Sequence, residues 1–217
     1  GQYVTLKTTI NNESIQRAYS IWKAPYENQL AVLVKEVEGG KFSTFANQNL
    51  KVGDKLEVMS PQGNFCPDLD SNNKKHYSLF AAGSGITPIV SIIKQILHTE
   101  KESSIDLFYV NKTKESTIFH DEIANLDSNK VKLYSFYTRE NSDNKLYNGR
   151  INSEKLNQLA SEGLINLSSA QFFMCGPEQM ILDIKDFLKL KSIADDKIKF
   201  ELFTASTENV QEIETDF

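Results

Sequence analysis

The spacing of apolar and polar positions divides the chain into two parts that follow different rules. Residues 2–8 alternate apolar with polar side chains, as a half-buried strand does, and residues 17–22 and 29–37 continue the β pattern across a turn-like stretch at 23–28. A short helical piece over 42–50, a turn at 52–54 and a strand over 55–59 follow. Several short strands at close spacing predict a small antiparallel β-barrel over 1–70. Residues 66–75 are polar and turn-rich, and they mark the boundary. Beyond it, strands predicted at 79–82, 105–110, 131–137, 170–174 and 198–202 alternate with helices at 88–98, 118–126, 153–159 and 178–188. That order predicts an α/β domain over 75–204, built on a doubly wound parallel sheet. Residues 205–217 are acidic, with little to bury, and read as a linker.

The sharpest local signal lies at the head of the second part. The apolar run from Leu79 to Ala82 meets Gly83-Ser84-Gly85, and a helical repeat of Ile89, Ile92, Ile93, Ile96 and Leu97 opens at Pro88. This reads strand, glycine turn, helix. Two residues without Cβ let the backbone turn tightly and approach a ligand, while the unpaired N–H groups and positive dipole end of the helix point back at the turn. Such an arrangement suits a phosphate. The dinucleotide fingerprint asks for a third glycine, and Pro88 stands near its place, so the motif departs from the usual Rossmann form. Ligands of such sheets bind beyond the carboxyl ends of the strands, where Gly83 to Thr87, Asn111 and Cys175-Gly176-Pro177 would fall.

Composition narrows the classes. At 217 residues the chain has ample material for a core, and 40% hydrophobic with 24% charged residues is ordinary for a globular protein. The formal charge of −5 argues against a nucleic-acid partner. No apolar run approaches bilayer length, no signal peptide is visible, and the expectation is a cytoplasmic protein without a membrane partner. Cys66 and Cys175 stand far apart, and His76, His98 and His120 show no ligand spacing, so no metal site is expected.

In the first part Arg17, Tyr19 and Ser20 share one strand: a guanidinium able to fork onto a pyrophosphate, a ring able to lie on a planar ligand, and a hydroxyl. An exposed strand with an amphipathic tyrosine would look the same. Gly40-Lys41-Phe42-Ser43 offers a helix start at which Ser43 is the expected N-cap and a phosphate contact, although a capping serine without a ligand is commoner. Arg139 and Arg150 could pair with a 2′-phosphate, with Lys112 and Lys114 as weaker candidates, and solvated arginines would serve the sequence equally well.

Taken together, Gly1-Gln2-Tyr3-Val4, Arg17-Ala18-Tyr19-Ser20, Gly40 to Ser43, Pro61 to Phe65, Gly83 to Pro88, Tyr109-Val110-Asn111, Gly149-Arg150-Ile151, Met174 to Pro177 and Phe200 to Phe203 resemble the ferredoxin reductase superfamily. Within it the chain is most similar to reductase components of multicomponent oxygenases, especially the phenylacetyl-CoA oxygenase reductase branch. The resemblance implies FAD in the barrel and NAD(P)H in the α/β part. By it Arg17 holds the flavin pyrophosphate, Tyr19 and Ser20 the isoalloxazine, and Gly40, Lys41, Phe42 and Ser43 the phosphates. Val34 joins that set, and Phe65 lies near the adenine end, which favours FAD over FMN. Gly83, Gly85, Ile86, Thr87 and Pro88 cradle the nicotinamide dinucleotide, with Asn111, Arg139 and Arg150 completing its contacts. Cys175, with Gly176 and Pro177, places a thiol beside nicotinamide C4, and Phe203 shields a flavin face; on pattern alone Cys175 is a buried apolar side chain and Phe203 a core aromatic. Ser20, Thr87, Cys175 and Phe203 are the expected catalytic set.

The function so implied is hydride transfer from NAD(P)H to FAD, then single electrons to a 2Fe–2S centre that serves an oxygenase. The iron–sulfur ferredoxin domain or protein is expected outside this chain, which lacks the cysteines for it, and the abrupt ends predict a fragment whose barrel is truncated at its N-terminus. A free-standing ferredoxin or flavin reductase is an alternative within the same chemistry, and a non-catalytic nucleotide-binding module is the rival outside it.

Overall fold

The computed structural model describes residues 1–203, so the expected acidic linker lies outside the described residues. Strands β1 (Tyr3–Ile10) and β2 (Glu13–Ser20) form an antiparallel hairpin, and the short β3 (Glu57–Val58) pairs with β1 in a three-stranded sheet of order β2-β1-β3. Strand β2 starts earlier than the apolar pattern predicts, because Asn11 and Asn12 take left-handed backbones with φ of 52° and 65°. Paired positive φ is what a tight two-residue hairpin loop needs, and asparagine tolerates it.

Helix α1 (Lys41–Gln48) lies on this sheet, with Phe42 buried against Val4, Leu6 and Ile15. Residues 29–37 form no strand. Val32 and Val34 do pack on the same cluster, as their alternation predicts, but apart from the bridge between Ile21 and Val32 the segment has no ladder partner. The N-terminal sheet therefore does not close into a barrel among the described residues.

The second part follows its predicted order closely. Strands β4 (His76–Ala82), β5 (Ser104–Asn111), β6 (Val131–Tyr137), β7 (Gln171–Gly176) and β8 (Ile198–Leu202) make one sheet, parallel throughout, in the order β6-β5-β4-β7-β8. Helices α2 (Ile86–Thr99) and α3 (His120–Ala124) cover one face, where Tyr77, Leu79, Leu107 and Phe173 meet Ile89, Ile93 and Ile96. Helices α4 (Ser153–Ser161) and α5 (Glu178–Leu190) cover the other, where Phe80, Phe108 and Tyr134 stack in a row at 4.6 and 4.8 Å. Burial on both faces explains the near-continuous apolar strands. The strand order reverses between β4 and β7, and this topological switch point opens the crevice in which such sheets hold ligands.

No helix among the described residues is long and apolar enough to cross a membrane. At the far end of α2, Glu100 is fully buried and accepts hydrogen bonds from Tyr77 Oη (2.9 Å), Ser103 Oγ (2.7 Å), Asn73 Nδ2 (2.6 Å) and the Asp70 backbone N–H (3.2 Å). Burial alone would raise its pKa, but the donors outweigh it and hold the carboxyl below the ordinary range. A depressed carboxylate stabilises the fold above its ordinary pKa and loses that contribution as pH falls through the folded value. Glu100→Ala is expected to cost about 3 kcal/mol in denaturant unfolding, since it strands buried donors, and to flatten the acid limb of stability against pH.

Candidate functional site

The turn after β4 is a 3-10 segment, Gly83–Gly85, that feeds directly into α2. Helix α2 begins at Ile86, two residues before Pro88, so the proline occupies the first turn, where its missing N–H leaves no bond unmade. Gly83 is left-handed at φ +53°, and the space where its Cβ would stand is open. At Gly85 the constraint is contact instead: a Cβ there would come within 2.3 Å of the Cys175 carbonyl oxygen. Only a residue without a side chain lets the N-terminus of α2 press against the end of β7. Thr87 is buried, and its hydroxyl donates to the Ser84 carbonyl at 3.0 Å, which fixes the turn from inside; Ile86 is buried beside it. The turn thus offers backbone N–H groups, the positive end of a 14-residue helix and open space, which fits a pyrophosphate.

Cys175 is the penultimate residue of β7 and is fully buried, and its thiol is pushed well above the ordinary range by burial first and by nearby Glu201 second. It is therefore a neutral, small, polarizable wall and not a nucleophile. Glu201 pairs with Cys175 in the β7–β8 register, and its carboxyl lies close enough to the Ser20 hydroxyl of β2 to be influenced by it. Burial raises the Glu201 pKa, and its Oε2 is buried without a partner. Ser20 itself is buried at the end of β2. Phe203 donates its N–H to the Gly176 carbonyl at 3.1 Å and packs half-buried on the core of the α2 face.

Ser20, Gly85, Cys175, Gly176, Glu201 and Phe203 consequently converge at the switch point, where the first sheet meets the carboxyl ends of β4, β7 and β8. Pro177, next in line, is exposed at the start of α5. Glu201 is the residue that the reading of individual side chains passes over. Its signal is an inverted alternation: Phe200 and Leu202 are each 43% exposed, while the glutamate between them turns inward.

On the β2 side, Arg17 and Tyr19 are both half-buried and lie close enough for the guanidinium to act on the phenol, whose pKa burial raises. Arg17 donates to the neighbouring Gln16 carbonyl at 2.8 Å, and the Tyr19 ring is 5.5 Å from that of Phe42. The expected cap at Ser43 is corrected: Gly40 is the N-cap of α1, and the Ser43 hydroxyl accepts from the Val37 N–H and donates to the Gly40 carbonyl, both at 3.2 Å. A helix that starts at Lys41 places Ser43 in its first turn, where the hydroxyl folds back on the preceding loop. Lys41 reaches Glu13 at 2.8 Å, and the Val34 carbonyl accepts from Asn47 at 3.2 Å. Phe65 is buried edge-on against Phe173 at 5.4 Å, inside the core.

Farther along the sheet, Asn111 is buried at the end of β5 beside the Tyr109 hydroxyl. Arg139 is exposed and lines an open cavity of about 750 Å³ with Thr113, Lys114, Glu115, His120 and Glu140. Arg150 and Lys112 are exposed and do not line it. Among the described residues no group of three or more His, Cys, Asp or Glu side chains could hold a metal ion.

Comparison with known proteins bears on this geometry. Residues 1–66 match the oxidoreductase FAD-binding domain, and residues 79–186 match the oxidoreductase NAD-binding domain. The chain is 38% identical over 207 residues to one of the subunits of the 1,2-phenylacetyl-CoA epoxidase of Escherichia coli, covering 94% of this chain and 58% of that protein. It is 39% identical over 129 residues to the ferredoxin reductase component of 3-ketosteroid-9-alpha-monooxygenase of Mycobacterium tuberculosis, covering 58% of this chain and 35% of that protein. The chain thus spans between about a third and somewhat over half of the length of these curated relatives. In fold it superposes on a ferredoxin NADP+ reductase from Neisseria gonorrhoeae with bound FAD and NADP, with a TM-score of 0.75, 24% identity and coverage of 93% and 85% of the two chains. The FAD/NAD-binding domain of a Vibrio cholerae nitric oxide dioxygenase gives 0.76 at 22% identity, over 93% and 84%. With an FAD-binding and an NAD-binding oxidoreductase domain joined in this order, the chain belongs to the ferredoxin reductase superfamily.

Proposed function

We propose that this chain takes hydride from NAD(P)H onto FAD at the switch-point crevice and serves as the reductase part of an oxygenase system. The observation that carries the reading is the convergence of Ser20 from the first sheet with Cys175 and Glu201 from the second, beside the glycine turn. A planar cofactor lying on β2 and a nucleotide held by α2 would meet there.

In this reading the turn Gly83–Gly85 and the N–H groups of α2 hold the dinucleotide pyrophosphate, and Thr87 keeps the turn in shape. The Arg17 guanidinium takes the flavin pyrophosphate, and Tyr19 lies along the isoalloxazine. The flavin, when bound, accepts two electrons together and releases them singly. Ser20 offers its hydroxyl to the reacting edge, with the Glu201 carboxyl beside it. Burial raises the Glu201 pKa, and the carboxyl beside Ser20 orients that hydroxyl in the crevice. Cys175 supplies a neutral wall against which the nicotinamide lies, and Phe203 keeps water from the crevice. Rate enhancement then comes chiefly from holding two rings within reaction distance.

The exposed cavity at Arg139 suits the adenosine end of the dinucleotide, with Arg139 and Lys114 facing a 2′-phosphate and Glu115 and Glu140 opposing it. Onward transfer of single electrons to a 2Fe–2S ferredoxin domain or protein, and from there to an oxygenase, is supported by the likeness to the two bacterial relatives, which belong to an epoxidase and a monooxygenase.

The deciding experiment is an anaerobic titration of the FAD-reconstituted chain with NADH and NADPH in parallel. Bleaching of the flavin bands is expected; a chain that holds FAD without bleaching would instead favour the nucleotide-binding module. Arg139→Ala is expected to weaken NADPH by about tenfold while leaving NADH nearly unchanged, read from half-saturation in the same titration. Gly85→Ala should abolish nucleotide binding and lower thermal stability together, because the added Cβ must force α2 away from Cys175; unchanged calorimetric binding of NAD+ would contradict this.

Glu201 yields a prediction with a fixed sign. A carboxyl whose folded pKa is raised stabilises the fold below its ordinary pKa and loses that contribution as pH rises through the folded value. Glu201→Gln is therefore expected to raise the melting temperature near neutral pH relative to its parent, to flatten the dependence between the ordinary and the raised pKa, and to slow flavin reduction.

A further inference from the structure

Trp22 stands two residues beyond Ser20, yet its indole packs on the core of the α/β part. Its ring lies 4.7 Å from that of Phe119 at an interplanar angle of 38°. The ammonium groups of Lys23 and Lys94 sit 4.4 and 4.6 Å from the indole centroid, and both reach Glu27 Oε1, at 2.9 and 3.4 Å. The two cations thus approach the indole from the same side, tied to one another by one carboxylate.

Phe119 caps α3 with a left-handed backbone at φ 58°, ψ 31°. A bulky residue keeps that conformation only where its surroundings over-determine it. The surroundings are specific. The carbonyl of adjacent Ile118 accepts from the Tyr109 hydroxyl at 3.2 Å, and the same hydroxyl lies 3.1 Å from the Gly83 carbonyl. Tyr109 is buried, and burial raises its pKa, so the phenol stays a donor. A continuous set of contacts therefore runs from the strand end at Ser20 through Trp22, Phe119, Ile118 and Tyr109 to the glycine turn. Of the other grips of the 22–27 segment on α2, the Lys23 carbonyl accepts from Ser91 Oγ at 3.2 Å in the second turn, and the Tyr26–His98 stack at 4.1 Å and the Glu27–Lys94 pair land farther along; none of them touches the glycine turn itself.

We propose that Phe119 and Trp22 are positioning residues that set the distance between the glycine turn and the strand carrying Ser20, so that a dinucleotide on the turn presents its reacting end to the flavin. This rests on the reductase reading above. Hydride transfer needs reacting atoms held near contact, and a displacement of about 1 Å can cost about a hundredfold in rate. The two sheets are separate, so a contact between them that is tied directly to the turn governs this distance more closely than one farther along the helix.

The test uses Phe119→Asn, which deletes the ring but suits a left-handed backbone, with Phe119→Tyr as the conservative variant. Trp22 is the one tryptophan of the chain, so tryptophan emission comes from this position alone. In the flavin-free chain Phe119→Asn is expected to red-shift that emission, with the melting transition still cooperative. In flavin-loaded protein mixed anaerobically with NAD(P)H, the limiting rate of flavin reduction is expected to fall by about tenfold or more, while the half-saturating nucleotide concentration stays within about threefold. Phe119→Tyr should restore both signals. A limiting rate equal to that of the parent, or a rise in half-saturation with no loss of rate, would overturn the positioning role, as would an emission that Phe119→Asn leaves unmoved. Failure of the reductase reading itself shows separately, as a parent chain that holds FAD and is not reduced at all, and it would take the positioning proposal with it.

Discussion

The approach of Gly85 to the Cys175 carbonyl is the constraint on which the site depends. It brings the N-terminus of α2 against the end of β7 at the point where the sheet order reverses, leaving room for no side chain between them. Given that contact, the backbone N–H groups of the turn, the thiol of Cys175 and the register partner Glu201 are all placed by strand geometry and not by flexible side chains. A site assembled from strand ends and one helix terminus is rigid where reaction distances matter. The open cavity around Arg139 is lined instead by exposed loop residues.

The two sheets contribute unequally. The parallel sheet is buried on both faces and carries most of the apolar core, whereas the three-stranded sheet rests on a small cluster around Val4, Leu6, Ile15 and Phe42. What joins them includes polar and aromatic contacts: Ser20 beside Glu201, Trp22 on Phe119, Phe65 on Phe173, and Glu27 with Lys94. Such contacts are directional, so they fix geometry better than an apolar seam of equal area would. The half-buried lysine pair also shares one carboxylate, and its partial desolvation strengthens it beyond an exposed surface bridge.

How far the sequence reveals this depends on which physical rule governs each element. The parallel sheet is legible strand by strand, because burial on both faces leaves uninterrupted apolar runs between helical repeats. The glycine turn is legible because steric demand at Gly83 and Gly85 leaves no other residue type comfortable. Residues 29–37 mislead because alternation reports which side chains face a core, and Val32 and Val34 do face one, but it does not report whether a neighbouring strand is there to pair. The start of α1 is misplaced by pattern because Ser43 has the chemistry of a cap while the backbone of Gly40 has its geometry. Phe119 is hidden for a related reason: nothing in a phenylalanine announces a left-handed residue, and helix α3 begins two residues later than its apolar pattern suggests.

Glu201 shows the limit of pattern and the use of chemistry. By alternation alone Phe200 and Leu202 should face inward and the glutamate outward, and the structure has the reverse. Phe200 is accommodated at the surface because the Lys185 ammonium lies 4.0 Å from its ring centroid, which makes an exposed aromatic less costly. Turning Glu201 inward carries a real penalty, seen in its raised pKa and in an oxygen left without a partner. A hydrophobic residue there would avoid this cost, which the strand bears beside Ser20 and Cys175 and which the reductase reading accounts for. At Glu201 local pattern and observed burial disagree, beside the end of β7 and the strand carrying Ser20.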